Sequence, residues 1–179
     1  SVYKDMKKNL AVLFVLSFFI YSLRAQQFLP IWEKGKMPNS KGLALHDSIA
    51  NERVYQVGTP GFYVFEPSKA ENKGAAVVII PGGGYARLAY QISGFQLAKW
   101  FNTIGITAFV LNHRLPQSPD VKVSYQAPLQ DAQRAIRYIR AHAEQWGIEK
   151  EKIGVMGCSA GAHLSACVST FTEDWSRVG

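Results

Sequence analysis

Ile153-Gly154-Val155-Met156-Gly157-Cys158-Ser159-Ala160-Gly161-Ala162-His163-Leu164 places a short apolar run, a glycine-flanked serine and a small-residue segment in that order. The order reads as strand, sharp turn and helix, with residues 152–156 as the strand and a helix reaching Ala166. A serine held on a strained turn needs neighbours without side chains so that strand and helix can approach, and Gly157 and Gly161 supply them. Its hydroxyl then stands at the C-terminal rim of a sheet. The three fixed positions of Gly-x-Ser-x-Gly would match by chance in about one chain of this length in twenty, given glycine near about 7% of residues. The strand before and the helix after are therefore what make the pattern specific. A glycine-rich turn without chemistry, or a phosphate-cradling loop at a helix N-terminus, shares the pattern. A phosphate loop would want a lysine beside it, and none lies between Gly157 and Ser165.

Working upstream, Ala75-Ala76-Val77-Val78-Ile79-Ile80 is apolar without alternation, which marks a strand buried on both faces, as in a parallel sheet. It runs into Pro81-Gly82-Gly83-Gly84-Tyr85. Leu97, Trp100, Phe101 and Ile104 then fall on one helical stripe that Gly105 ends, and Ile106 to Leu111 is a second buried strand. Leu129, Ala132, Ile136, Ile139, Ala143 and Trp146 predict one helix, with Pro128 in its first turn and Gly147 at its stop. Strands alternating with helices imply a mostly parallel sheet covered on both faces. Arg53 to Val57 and Gly61 to Glu66 flank Gly58-Thr59-Pro60 and predict an antiparallel hairpin, while Gln27 to Leu45 predicts an irregular wrap.

The triple glycine supplies the second chemical feature. Acyl transfer through a tetrahedral intermediate needs N–H donors aimed at the developing oxyanion, and glycines let the backbone turn those donors inward. The donors expected are Gly83, Gly84 and Ala160. A lone triple glycine is usually a flexible turn, but this one ends a buried strand about 75 residues before Ser159.

These residues resemble the α/β-hydrolase superfamily, in particular the secreted bacterial acetylxylan and related carbohydrate esterases. The resemblance rests on Pro81-Gly82-Gly83-Gly84-Tyr85, Asn112-His113-Arg114-Leu115-Pro116, Leu129-Gln130-Asp131-Ala132-Gln133-Arg134-Ala135-Ile136 and the stretch from Ile153 to Leu164, and spans Trp32 to Ala166. It implies a three-layer α/β fold, Ser159 as the catalytic nucleophile, an oxyanion hole of Gly83, Gly84 and Ala160, and no cofactor. Three departures stand out. Pro81 replaces the histidine that related lipases carry before the glycines, Cys158 replaces an aromatic residue or serine, and Ala162 replaces a frequent glycine. In the superfamily the acid and histidine of the triad follow the serine at a distance. Here the residues after Ser159 offer His163, Glu173 and Asp174. His163 lies one turn into the helix and is expected to be a buried, hydrogen-bonded structural residue. The expectation is thus an N-terminal part of the fold, residues 26–179, without its last strands and with the strand at 152–156 as an open edge.

The chain's 179 residues, 47% hydrophobic and 18% charged, suit about one globular domain and exclude disordered or collagen-like classes. Lys7-Lys8, the apolar run Leu10 to Leu23 and Arg24-Ala25-Gln26 have the layout of an export signal, so residues 1–25 are set apart and the mature chain is expected to begin near Gln26. Met6 reads as the start, with Ser1 to Asp5 upstream of it. The run is shorter than the roughly 20 residues a membrane-spanning helix needs, which argues for a secreted or periplasmic protein without a stable span. Residues 1–25 carry +3 of the chain's +7, and the remaining +4 gives no case for nucleic acid. Neither cysteine sits at a metal-ligand spacing; both are expected to be reduced and buried, and no metal is assigned.

Other polar residues read as structural. Arg114 is expected to hold a loop, Asp131 and Arg134 to form a local ion pair, His46 and His142 to be peripheral, and Trp100-Phe101 to be helix core. The function expected is a serine esterase acting on small-molecule or polysaccharide esters, with a peptidase of the same fold or a non-catalytic module as alternatives. Oligomeric state is not legible.

Overall fold

The computed structural model describes residues 26–171 and residue 173, so the readings of residues 1–25 and of Asp174 fall outside the described residues. The apolar runs become the middle of a sheet. Strands β5 (Ala76–Ile80) and β6 (Thr107–Asn112) are buried along their whole length, because helices cover both faces. The other strands are β1 (Gln27–Pro30), β2 (Ser48–Ala50), β3 (Arg53–Gln56), β4 (Gly61–Phe65) and β7 (Ile153–Gly157). The main sheet runs β1-β4-β6-β5-β7. β4 is antiparallel to both neighbours and β5 parallel to both of its own, so four strands share one direction.

Among the described residues, three α-helices complete the layers: α1 (Gln96–Thr103), α2 (Gln126–Ala141) and α3 (Ala160–Thr170). Alternation along β5 decides what each side chain meets. Val78 and Ile80 join Phe109 and Leu111 against Leu129, Ala132, Ala135 and Ile139 of α2 and Leu164 of α3. Val77 and Ile79 join Ala108 and Val110 against Ala98, Leu97 and Phe101 of α1. The chain moves one way from β5 to β6 and back across β5 to β7, so crossovers of one hand put α1 and α2 on opposite faces.

The expected strands and helices are present, with four corrections. The hairpin is not made by the segments flanking Gly58–Pro60. β3 pairs with β2 in a separate ribbon whose turn is Asn51-Glu52, both at positive φ (48° and 59°), while β4 enters the main sheet. The sequence GFYVF of β4 is buried on both sides and needs a sheet neighbour on each edge, which the exposed β2 ribbon could not provide. Second, the wrap is not wholly irregular: β1 pairs with β4 from Gln27↔Val64 to Pro30↔Gly61. A four-residue strand with two apolar positions has no periodicity to read, and its partner decides its conformation. The rest of the wrap is tied by the buried Asp120, whose carboxylate accepts from Ser40 Oγ (2.6 Å) and Leu43 N–H (2.7 Å). Burial alone would raise its pKa, but these bonds together with Lys41 N–H and Arg114 bring it below the usual value.

Third, Trp100 is not helix core: it is 55% exposed. Successive helical residues are about 100° apart, and the face that meets the sheet runs through Gly94, Ala98 and Phe101, leaving Trp100 outside it. Fourth, the long helix stops at Ala141, and Ala143–Trp146 form a 3-10 turn closed by Gly147 at φ 62°. Ala143 and Trp146 still reach the core, where the Trp146 ring meets Phe109 and Phe62 edge-on. Pro128 is the third residue of α2, where its missing N–H would have had no helical acceptor.

Candidate active site

The parallel register of β5 and β7 places Ile80 beside Gly157, so the loops that leave their C-terminal ends are neighbours. Ser159 is the residue between β7 and α3, at φ 52° and ψ −119°. A non-glycine residue there stores strain of about 1–3 kcal/mol. The flanking glycines explain how it is held. A Cβ at Gly157 would fall on the Gly161 carbonyl, and one at Gly161 would fall on the Ile80 carbonyl oxygen. Only glycine at both positions lets α3 begin directly over the strand ends. Ser159 is exposed, and among the described residues its Oγ makes no hydrogen bond.

The triple-glycine loop lies against this turn. A Cβ on Gly82 would stand 2.8 Å from Cys158 O and 3.4 Å from Ser159 Cβ. Gly83, Gly84 and Tyr85 all have positive φ (143°, 63° and 60°), which turns the backbone sharply. Gly82 N–H donates to Ser93 Oγ (3.0 Å), Gly82 O accepts from Ala89 N–H (2.8 Å), and Gly83 O accepts from the N–H of Ala86 and Arg87. Among the described residues the N–H groups of Gly83 and Gly84 donate to no protein acceptor. Ala160 N–H, in the first turn of α3, has no acceptor within the helix either. The structure thus brings all four predicted residues, Ser159, Gly83, Gly84 and Ala160, to one rim of the sheet, with amide donors and the positive end of a helix dipole beside a hydroxyl. Such an arrangement suits a developing anion.

His163 is hydrogen-bonded as expected but not buried: its ring is exposed, and its Nδ1 lies 2.8 Å from Tyr85 Oη. It makes no hydrogen bond to Ser159 Oγ. Burial, with Cys167 adding to it, raises the Tyr85 pKa, so the phenol keeps its proton. The two cysteines are free thiols and half-buried rather than fully so. Tyr85 also lines an apolar cavity of about 340 Å³ with Pro116, Leu129, His163, Leu164 and Phe171.

Behind the rim, Arg114 and Asp131 form a buried ion pair. Arg114 Nη2 lies 2.8 Å from Asp131 Oδ1, its Nε reaches both carboxylate oxygens, and its backbone N–H donates to Oδ2. Arg114 is therefore structural as expected, but the partner expected for Asp131 is wrong. Arg134 donates to Ile31 O and lies 5.4 Å over the Trp32 ring, while Trp32 Nε1 donates to Asp131. Asp131 falls on the apolar face of α2 between Leu129 and Ala135, and an acid in that position signals a buried cation from elsewhere in the chain. His113 is buried with Nδ1 2.8 Å from Arg114 O. Because a carbonyl only accepts, Nδ1 carries the proton. Desolvation lowers the His113 pKa against the smaller opposing pull of that hydrogen bond and of Asp131, so the ring is neutral. Sequence reasoning gave Tyr85 no role, although an aromatic residue directly after three glycines and a histidine four places after the serine were both in view.

Among the described residues no group of histidines, cysteines or acids is placed to hold a metal, and no helix is long and apolar enough to cross a membrane. The chain is similar to the acetylxylan esterase of Xylanibacter ruminicola, 39% identical over 99 residues that cover 55% of this chain and 20% of that protein. Its structure is similar to an acetyl ester-xyloside bifunctional hydrolase from Caldicellulosiruptor lactoaceticus, with a TM-score of 0.61 and 28% identity over 86% of this chain and 53% of that one. It is also similar to a thermophilic esterase, Est2, of Thermogutta terrifontis, with a TM-score of 0.56 and 28% identity over 78% of this chain and 47% of that one. The chain thus spans a fifth of the curated relative and about half of each solved esterase. These likenesses bear out the α/β-hydrolase type of fold. The BD-FAE family model matches residues 62–176, from the second strand of the main sheet through the serine turn, and the chain belongs to the BD-FAE family.

Proposed function

We propose that this chain carries the nucleophile and oxyanion hole of a secreted serine esterase that removes acetyl groups from carbohydrates such as xylan. Ser159 Oγ attacks the ester carbonyl as its proton passes to a base, and the negative charge that develops on the carbonyl oxygen is received by the N–H groups of Gly83, Gly84 and Ala160. The C–O bond to the sugar then breaks, the sugar oxygen takes up a proton, and acetyl remains on Ser159. Water attacks that acyl-enzyme, releasing acetate and restoring the serine.

The observation that carries the reading is the strained Ser159 beside a loop with two amides that find no acceptor among the described residues. The resemblance to an acetylxylan esterase and to an acetyl ester-xyloside hydrolase supports acetylated xylan as substrate. A serine hydroxyl is weak without a base, and among the described residues no histidine or carboxylate hydrogen-bonds to Ser159 Oγ. The base and its orienting acid are accordingly assigned to parts of the protein outside the described residues. The export-signal layout of residues 1–25 supports action outside the cytoplasm or in the periplasm.

The test is acetate release from acetylated xylan by the full-length protein and its Ser159→Ala variant, with mass spectrometry of peptide 157–161 after quenching with p-nitrophenyl acetate. An acetyl group on Ser159 and loss of turnover in the variant are expected. Wild-type turnover in the variant would remove the serine from the mechanism, and no turnover of either ester by the parent protein would favour a non-catalytic module.

A further inference from the structure

Resting on the esterase reading above, we propose that Tyr85 is a positioning residue whose hydrogen bond to His163 fixes the oxyanion donors of the glycine loop relative to Ser159. The bonds that shape this loop lie mostly within residues 82–93: Gly82 N–H to Ser93 Oγ, Ala89 N–H to Gly82 O, and Ala86 and Arg87 N–H to Gly83 O, while Leu88 exchanges backbone bonds with Val54 of β3 (2.8 and 3.0 Å), which is not part of the serine turn. They give the loop its own form but do not set its place against the serine turn. Among the described residues, Tyr85 Oη to His163 Nδ1, at 2.8 Å, is the hydrogen bond that joins residues 82–93 to residues 158–170. Both ends of it are next to the chemistry. Tyr85 directly follows Gly84, and His163 N–H donates to Ser159 O at 3.1 Å. The path from donor to nucleophile is therefore Gly84, Tyr85, His163, Ser159.

Tyr85 is also held where a tyrosine would not choose to be. Its φ of 60° lies in the left-handed region, which a non-glycine residue rarely adopts. Its ring has edge-on contacts with His163 at 5.9 Å and with the buried His113 at 6.4 Å. The ring thus ties the ends of β5 and β6 to the first turn of α3, and those contacts hold the strained backbone in place. Rigid support of this kind is what preorganised donors require, because their value is lost when they drift by a fraction of an ångström.

The oxyanion exists only in the transition state, so loosening its donors lowers kcat and leaves substrate binding alone. Deleting a donor outright costs about 100-fold to 1,000-fold in kcat; a donor pair that has lost its tie is expected to lose roughly 10-fold. The experiment measures kcat and KM on p-nitrophenyl acetate, with melting temperature as a fold control, in the full-length protein and in Tyr85→Phe, His163→Ala, His163→Asn and the Tyr85→Phe/His163→Ala double variant. Tyr85→Phe and His163→Ala are expected to lose about 10-fold in kcat with KM within about twofold. The double variant is expected to be no worse than either, since both remove one interaction. His163→Asn, whose amide can occupy the position of Nδ1, is expected to recover most of the rate. An unchanged kcat in Tyr85→Phe, a loss confined to KM, additive losses in the double variant, or no recovery with asparagine would each overturn the proposal. Ser159→Ala measured alongside separates the two readings: if it is inactive while Tyr85→Phe has wild-type kcat, the esterase reading stands and the positioning role falls.

Discussion

Gly82→Ala tests the packing of the glycine loop against the serine turn without touching a donor or the nucleophile. The added methyl would lie 2.8 Å from Cys158 O and 3.4 Å from Ser159 Cβ. Carbon and oxygen settle at about 3.3 Å or more, so the loop and the turn must part by roughly 0.5 Å. Both contacted atoms belong to backbone or to a Cβ, so a rotamer change cannot relieve the clash. Gly82 lacks the positive φ of Gly83 and Gly84, so the effect is one of spacing rather than of backbone conformation. A 1 Å misplacement of reacting groups costs about 100-fold; half of that displacement, borne by donors one and two residues away, predicts a drop in kcat of about 10-fold. The accompanying loss of stability should be that of a mildly overpacked site, about 1–2 kcal/mol. The assay is kcat and KM on p-nitrophenyl acetate in the full-length protein, with the urea midpoint read on the same preparation. Wild-type kcat together with an unchanged midpoint would mean that the loop does not lie against the serine turn, and the site as described would be wrong.

Two further perturbations address the frame behind the site. Asp131→Asn leaves the buried Arg114 guanidinium without its counter-charge and should destabilise the fold by about 3–5 kcal/mol, read as a fall in the urea midpoint; a change of less than about 1 kcal/mol would show that the pair is solvated. His113 is neutral in the fold, with its pKa pushed below the ordinary value by desolvation. A depressed histidine contributes stability in full above its unfolded pKa, near 6.5, and loses it as pH falls from there through the folded pKa. The urea midpoint should therefore decline below about pH 6.5, and His113→Asn should flatten that decline; an unaltered slope in the variant would exclude His113 as its source.

What could be read from the sequence divides along physical lines. β5, β6 and α2 were legible because their side chains follow one local rule along their length, unbroken burial for the strands and a repeat of three and four for the helix. The serine turn was legible because its glycines answer a steric demand that two residues on either side determine. What failed was set by partners distant in sequence. β1 is a strand because β4 needs an edge, and the hairpin turn falls at Asn51-Glu52 because β4 is taken up by the main sheet. Asp131 faces Arg114 across 17 residues rather than Arg134 across three. Trp100 was placed in the core by a stripe that counts apolar residues without knowing which arc of the helix meets the sheet.

The same distinction explains why the site sits where it does. Ser159 and Tyr85 are the two non-glycine residues of positive φ at the C-terminal rim of β5 and β7, and neither would adopt that conformation in an isolated peptide. Each belongs to a loop that leaves a buried strand, and β5 and β7 are locked side by side from Ala76↔Ile153 to Ile80↔Gly157. A slip of one residue would turn every β5 side chain to the opposite face, moving Val78 and Ile80 out of the cluster they share with α2 and α3. The register is therefore enforced by the core, and with it the close approach of Gly82 to Ser159. Strain at the two loops persists because relieving it would require the strands to slip or the helix α3 to lift off Ile80, and Gly161 against the Ile80 carbonyl leaves no room for an intermediate position. The chemistry that local preference would disfavour is thus held in place by the long-range pairing of β5 with β7 and the packing of α3 against them.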